Sequence, residues 1–198
     1  TVELINRLNH DGEFETGGSA AWSQQIGNFQ ALVNLQSRPN YENRDNREAR
    51  LGPDGELLGT LFETTIRDKD EQTFSTNLSY SLGPHRMQLN ALVSEGDHPR
   101  PVRRDFVDFT GAGAVNSIQE EQVENEENNW EVGGDYEFNF DNGSRLAVLF
   151  VANNEIRNSV RERFQADPAE VGLSKNLFID SRREIGEFIV QTNYNFSL

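Results

Sequence analysis

The sequence predicts an all-β protein: an antiparallel transmembrane β-barrel segment built of long meandering hairpins. Three observations predict it. Apolar and polar residues alternate over several long stretches, and period two marks an extended chain whose side chains point to opposite faces. Short turn signals at Gly27, Gly83-Pro84 and Asn142-Gly143 alternate with polar stretches of roughly thirty residues, whereas compact domains seldom hold structureless loops beyond about fifteen. The segment from Trp130 to Phe140 alternates for about eleven residues, enough to cross a bilayer as a tilted strand and long for a soluble sheet.

The elements follow in order. Val2 and Leu4 open a segment too short to define a face. After the Asp11-Gly12 turn signal, Phe14, Thr16, Gly18, Ala20 and Trp22 oppose Glu13, Glu15, Ser19 and Ser23. Beyond Gly27, Phe29, Ala31, Val33 and Leu35 oppose Asn28, Gln30, Asn34 and Gln36, with Leu32 the exception, and Pro39 ends the segment. Leu58, Thr60, Phe62, Thr64 and Ile66 form a weaker strand. The next hairpin sets Phe74, Thr76, Leu78, Tyr80 and Leu82 beside Met87, Leu89, Ala91 and Val93. The clearest hairpin sets Trp130, Val132, Gly134, Tyr136, Phe138 and Phe140 beside Leu146, Val148, Phe150 and Ala152 across an Asp-Asn-Gly turn. Phe188, Val190, Thr192, Tyr194 and Phe196 close the chain. Long loops are expected near 39–70, 95–129 and 154–183. The best helix signal, DPAEVGLSKNLF, is short and broken by Gly172.

Composition narrows the function. Hydrophobic residues make up 35% and mean hydropathy is -0.71, so the apolar content is thin and carried by large side chains, 13 Phe among them. With 0 Cys the chain has no disulfides, thiolate nucleophile or thiolate metal site. No run approaches the roughly twenty apolar residues of a membrane helix, and no signal peptide opens the chain; neither bears on barrel strands, which send only every second residue to lipid. The net charge of -15 argues against a nucleic-acid partner, whose phosphates need clustered Lys and Arg. The charge runs lie between the alternating segments, where they read as solvated loops.

No motif argues for catalysis, and the chain reads as a non-enzyme with no cofactor. His10, His85 and His98 sit in or beside turns, without a scaffold for a nucleophilic triad. TGAGAVNS lacks the Lys-Ser/Thr and the strand-to-helix context of a phosphate loop. Glu120, Glu121, Glu124, Glu126 and Glu127 could offer oxygen ligands, but their spacing is not that of a calcium loop, so no metal site is assigned. Three Asn-x-Ser triplets read as chance matches, two of them inside strands.

The opening TVELINRLNHDGEFETGGSAAWSQQIGNFQALVNLQS resembles the plug-to-barrel junction of TonB-dependent outer-membrane receptors, where a short apolar strand ends the plug and a DGEF…SWS…GRF pattern enters the barrel. The hairpins over 71–94 and 130–152 resemble successive barrel hairpins of that family. The resemblance implies that 1–12 is the end of the plug or a first strand and turn, and that 13–198 is part of a barrel of about twenty-two strands. It implies active uptake of a scarce solute, such as a metal chelate or nutrient, across the bacterial outer membrane. The implied partners are outer-membrane lipid, an extracellular solute ligand and an inner-membrane energy-coupling protein acting through the plug. The chain departs from the family in having no energy-coupling box, almost no plug and material for only about seven to nine strands. It therefore reads as a piece of a longer receptor. The alternative is a complete small barrel of about eight strands with a structural or adhesive role; a soluble β-sandwich is a third reading. On the barrel reading Gln88, Asn90, Glu131, Asp135, Glu137, Arg145 and Gln191 face the lumen; in the small barrel the acids among them would need partners such as Arg145 and Arg86.

Overall fold

The computed structural model describes residues 1–166 and 172–197. They form one ten-stranded antiparallel sheet. Its strands are β1 (Val2–Leu8), β2 (Phe14–Ile26), β3 (Phe29–Ser37), β4 (Asn40–Leu51), β5 (Leu57–Leu82), β6 (His85–Asp97), β7 (Val102–Asp108), β8 (Val115–Asn139), β9 (Arg145–Ala166) and β10 (Leu173–Asn195). Two pairs are single rows interrupted by proline. β3 and β4, divided at Pro39, lie along one side of β5, while β6 and β7, divided by Pro99 and Pro101, lie along the other. Across the second break His98 and Arg100 still donate their N–H to Asn125 and Val123 of β8 at 2.7 Å. The two prolines accept through their carbonyls from Asp68 and Ile66 of β5 but have no N–H to return. The result is an up-and-down meander from β1 to β10.

The short turns form as the sequence reads. Gly27 and Gly83, at φ 58° and 57°, each open a two-residue connection, between Ile26↔Phe29 and Leu82↔His85. Positive φ at the first central residue is the sign of a type II′ turn, whose twist suits a hairpin. From these turns the registers keep one parity throughout. Leu35, Phe74, Val93 and Trp130 are successive cross-strand partners, as are Ala31, Leu78, Leu89, Gly134, Phe150 and Val190. Every alternating segment therefore turns its apolar residues to the same face, which a one-residue slip would reverse. This is the apolar half of the sheet. Near its turns, aromatic rings step along the face: His85 to Phe138 (4.8 Å between centroids), Phe138 to Phe140 (4.6 Å), Phe140 to Tyr194 (5.8 Å) and Tyr194 to Phe196 (4.7 Å).

The other half corrects an expectation. The stretches over 39–70, 95–129 and 154–183, read as long loops, are largely ladder: β4, the first half of β5, β7, the first half of β8, the second half of β9 and the first half of β10. Apart from the weaker strand read over Leu58–Ile66, which is the start of β5, their side chains are mostly polar on both faces, so hydrophobic alternation is faint there while backbone pairing continues. The helix signal fails in its described part, since Leu173 onward is β10; its residues 167–171 lie outside the described residues.

The barrel expectation is also overturned. The ladder ends at β1, paired only with β2, and at β10, paired only with β9; the two do not meet. The described strands therefore form an open sheet and enclose no lumen of their own. Alternation determines which face a side chain takes, but closure requires the first and last strands to pair, and no pattern within a strand encodes that. Nor do the described residues form a second layer to make a sandwich. Ala31, Val102 and Val123 are the only buried apolar residues among those described, while Trp22 and Phe188 are 52% and 73% exposed.

Candidate functional site

The seven residues expected to face a lumen share one face of the apolar half, opposite the apolar one, but that face is open. Gln88 lies across from Asp135, Asn90 from Gly133, Glu131 from Leu92, Glu137 from Arg86, Arg145 from Asn139 and Gln191 from Leu149. The structure brings two groups of them together. Arg145 reaches Glu137 at 2.5 Å, and the Asn139 amide donates to the same carboxylate at 3.1 Å. The Gln88 amide, turned so that both its atoms are satisfied, accepts from Arg86 at 2.7 Å and donates to Asp135 at 3.3 Å. Asn90, Glu131 and Gln191 lie apart from these groups.

The most enclosed part of the polar face lies in the charged half. β5, β7, β8 and β9 run side by side there, placing Glu63, Arg104, Glu121 and Arg161 on successive strands of the ladder. Glu121 is 1% exposed. It accepts from Arg161 at 2.9 Å and from Arg104 at 3.3 Å; Arg104 also donates to Glu63 at 2.6 Å and to Gln119 at 2.9 Å. Val102 and Val123, both 5% exposed, wall this cluster. Burial alone would raise the Glu121 carboxyl, but the two guanidiniums outweigh it and hold it below the ordinary carboxylate range. Glu121 in turn raises Arg161. A buried carboxylate with two charged donors is a structural clamp, because removing either side strands a charge.

The sequence reading missed this cluster and placed Glu121 in a solvated acidic loop. A signal was present in the basic pair Arg103-Arg104 and the acidic pair Glu120-Glu121: Arg103 sits opposite Glu120, and Arg104, opposite Gln119, reaches Glu121 on the diagonal. Arg103 does reach Glu120 at 2.9 Å, and Glu127 reaches Arg157 at 3.3 Å. The acids of this run thus act largely as ion-pair partners. Among the described residues no group of three or more His, Asp or Glu is placed to hold a metal. His85 accepts from or donates to the Tyr136 hydroxyl at 2.7 Å, on the apolar face and remote from the acidic clusters.

The sheet's edges are its other chemically open feature. β10 is 23 residues long and almost wholly exposed. Its first half carries edge defences: Lys175, a register shift between Lys175 and Leu177, then Arg182, Arg183 and Glu184. Its second half, Phe188 to Asn195, has no charge, proline or bulge. Natural edges are normally blunted by such devices.

These findings correct the functional expectation as well. Outer-membrane uptake, the small structural barrel and the outer-membrane location all rested on barrel strands, and the described residues form a ten-stranded sheet that is not a barrel. The likeness to TonB-dependent receptors reduces to alternating hairpins, which many antiparallel sheets share. Comparison with protein-family models and with curated proteins finds no match.

Proposed function

We propose that this chain is a non-catalytic assembly module, completed when β10 pairs edge to edge with a second copy. The observation that carries the reading is the undefended tract Phe188–Asn195, which offers a row of unpaired backbone donors and acceptors. Exposure of the whole molecule supports it. The surface is 13553 Å², against about 9,500 Å² for a compact monomer of this mass, an excess far larger than a standard interface buries. Antiparallel pairing of two β10 strands about a two-fold axis keeps both apolar faces on the same side. It also sets one residue of the tract opposite itself, near its centre at Gln191 and Thr192.

The test uses the cysteine-free chain. With the apolar face masked by a mild detergent, sedimentation reports association through the edges alone. The reading expects a dimer, disulfide cross-linking of Gln191→Cys or Thr192→Cys far above that of Asn34→Cys in β3, and dissociation by the double change Gln191→Lys and Asn193→Lys. A monomer at all concentrations, or a dimer that the lysines leave intact, overturns it.

A further inference from the structure

We infer that a second copy of this chain covers the apolar face, stacked on it with antiparallel strands so that two open sheets become the layers of one sandwich. The rows of cross-strand partners on that face run through Trp130, Val132, Gly134, Tyr136 and Phe138 of β8. From β2 to β10 none of these rows carries Asp, Glu, Lys or Arg on the apolar side. Trp22, Val93 and Phe188 stand on it 52%, 52% and 73% exposed. At about 4.8 Å between strands and about 3.4 Å per residue along them, the rows cover roughly 800 Å². That exceeds the apolar patch a monomer ordinarily leaves open. Two such faces bury roughly 1,600 Å², the size of a stable specific interface. Pairing at the β10 edge, one strand wide, leaves the face uncovered.

The arrangement follows from where the charge lies. Two copies of net charge -15 repel one another, so a stable pair must hold its charged halves apart. On the apolar side acids begin one row beyond Trp130, with Glu95 and Glu184. A two-fold axis lying across the strands along the Gly134 row sets the Phe138 row of each copy over the Trp130 row of the other. It sends the charged halves out at opposite ends, whereas an axis along the strands would superpose them. Sheets stacked this way pack about 10 Å apart with strands within about 30° of one another. A face without ions offers a charged partner nothing to pair with, while a second copy presents the same rows, the same width and the same absence of charge. The Gly134 row meets β10 at Val190, beside Gln191. This axis therefore crosses the one proposed for the edge, and both contacts fit within one tetramer.

The face and the edge are separate surfaces, so the two proposals fail separately. The test uses the full chain carrying Gln191→Lys and Asn193→Lys, which charge the edge and leave the apolar face unaltered, in buffer without detergent. Sedimentation is expected to show a dimer, and Leu89→Arg, in the Gly134 row, to raise its dissociation constant at least a hundredfold. A short bis-maleimide should couple Leu89→Cys to its twin at least tenfold faster than Gln88→Cys, on the opposite face, or Thr64→Cys, in the charged half. The coupling comparison needs no charged residue on the face, so it decides the matter even if Leu89→Arg fails to fold. A monomer without detergent overturns the inference, as does a dimer that folded Leu89→Arg leaves intact. Equal coupling at Leu89→Cys and Thr64→Cys overturns it too. So does a monomer that floats with neutral phosphatidylcholine vesicles, which would give the face to lipid.

Discussion

The apolar and charged halves of this sheet share one continuous backbone ladder, yet their side chains meet opposite surroundings. β5 and β8 pass through both. Toward the short turns, Phe74 to Leu82 and Trp130 to Phe138 send large apolar groups outward on one face, and almost nothing covers them. Toward the other end the same strands carry Glu63 and Glu121, and there a carboxylate is the most buried large side chain among the described residues. Backbone pairing is indifferent to side-chain polarity and can extend a strand through either environment. Side-chain chemistry then decides what each half still requires: in the charged half partners lie within the sheet, whereas in the apolar half they must come from outside.

The largest expected effect tests that contrast directly. Glu121→Ala leaves Arg104 and Arg161 without their shared carboxylate and should destabilise the charged half by about 3 kcal/mol. Glu131→Ala, an exposed acid on the same face of β8, should change stability by no more than about 0.5 kcal/mol. Amide hydrogen exchange resolved along β8 measures both. Equal protection losses for the two variants would erase the distinction between the halves.

The next effect belongs to the apolar half. At Gly134 an added Cβ would meet the Gln88 carbonyl and the Phe150 ring, each at 2.8 Å, because that ring lies over the glycine. Gly134→Ala should cost about 1–3 kcal/mol by overpacking. Gly186→Ala in β10, where the nearest atoms lie at 3.6 Å, should be close to neutral. Urea titration followed through Trp130, in the same strand as Gly134, separates the two. A neutral Gly134→Ala would mean that Phe150 moves freely, and the aromatic face would then be less ordered than described.

Smaller still is the change at the hairpin turns. Gly83→Ala forces an L side chain to φ 57°, a loss of about 1 kcal/mol. Gly113→Ala, with no positive φ and open space around it, should lose nothing comparable. The same urea titration reads both, and similar losses would detach the turn effect from its backbone cause.

The smallest effect is a pH dependence at the far end of the charged half. The Asp108 carboxyl accepts from the Thr110 hydroxyl and N–H and from Arg50, and these donors hold it down to about 2. A depressed carboxyl stabilises the fold above its ordinary value of 3.8, and that contribution is lost as pH falls through about 2. Exchange at the Phe109 and Thr110 amides should therefore quicken between those values, and Asp108→Asn should flatten the profile. A profile unchanged in the variant would assign the acid response elsewhere.

The two halves also differ in how far they can be read from sequence. The hairpins at Gly27, Gly83 and Asn142-Gly143 were legible because an apolar face against a polar one is a strong period-two contrast, and glycine marks where the chain reverses. Sorting Gln88, Asn90, Glu131, Asp135, Glu137, Arg145 and Gln191 onto one face follows from the same parity. The strands from Asn40 to Leu51 and from Val115 to Asn129 carry no such contrast, since Arg, Glu and Asn occupy both faces. Their pairing rests on backbone hydrogen bonds and on charges supplied by neighbouring strands. The Glu121 clamp was missed because Arg104 and Arg161 come from two other strands, 17 and 40 residues away.

By itself, then, the sequence determined the strand character, the turns and the face of each residue in the apolar half, because these depend on neighbours two to ten positions away. Only the tertiary structure decided that the polar stretches continue the ladder, that an acidic run is held by arginines, and that β1 and β10 stay apart. Each of these depends on which distant strands lie side by side. Alternation within a strand specifies a face and leaves that choice of neighbour open.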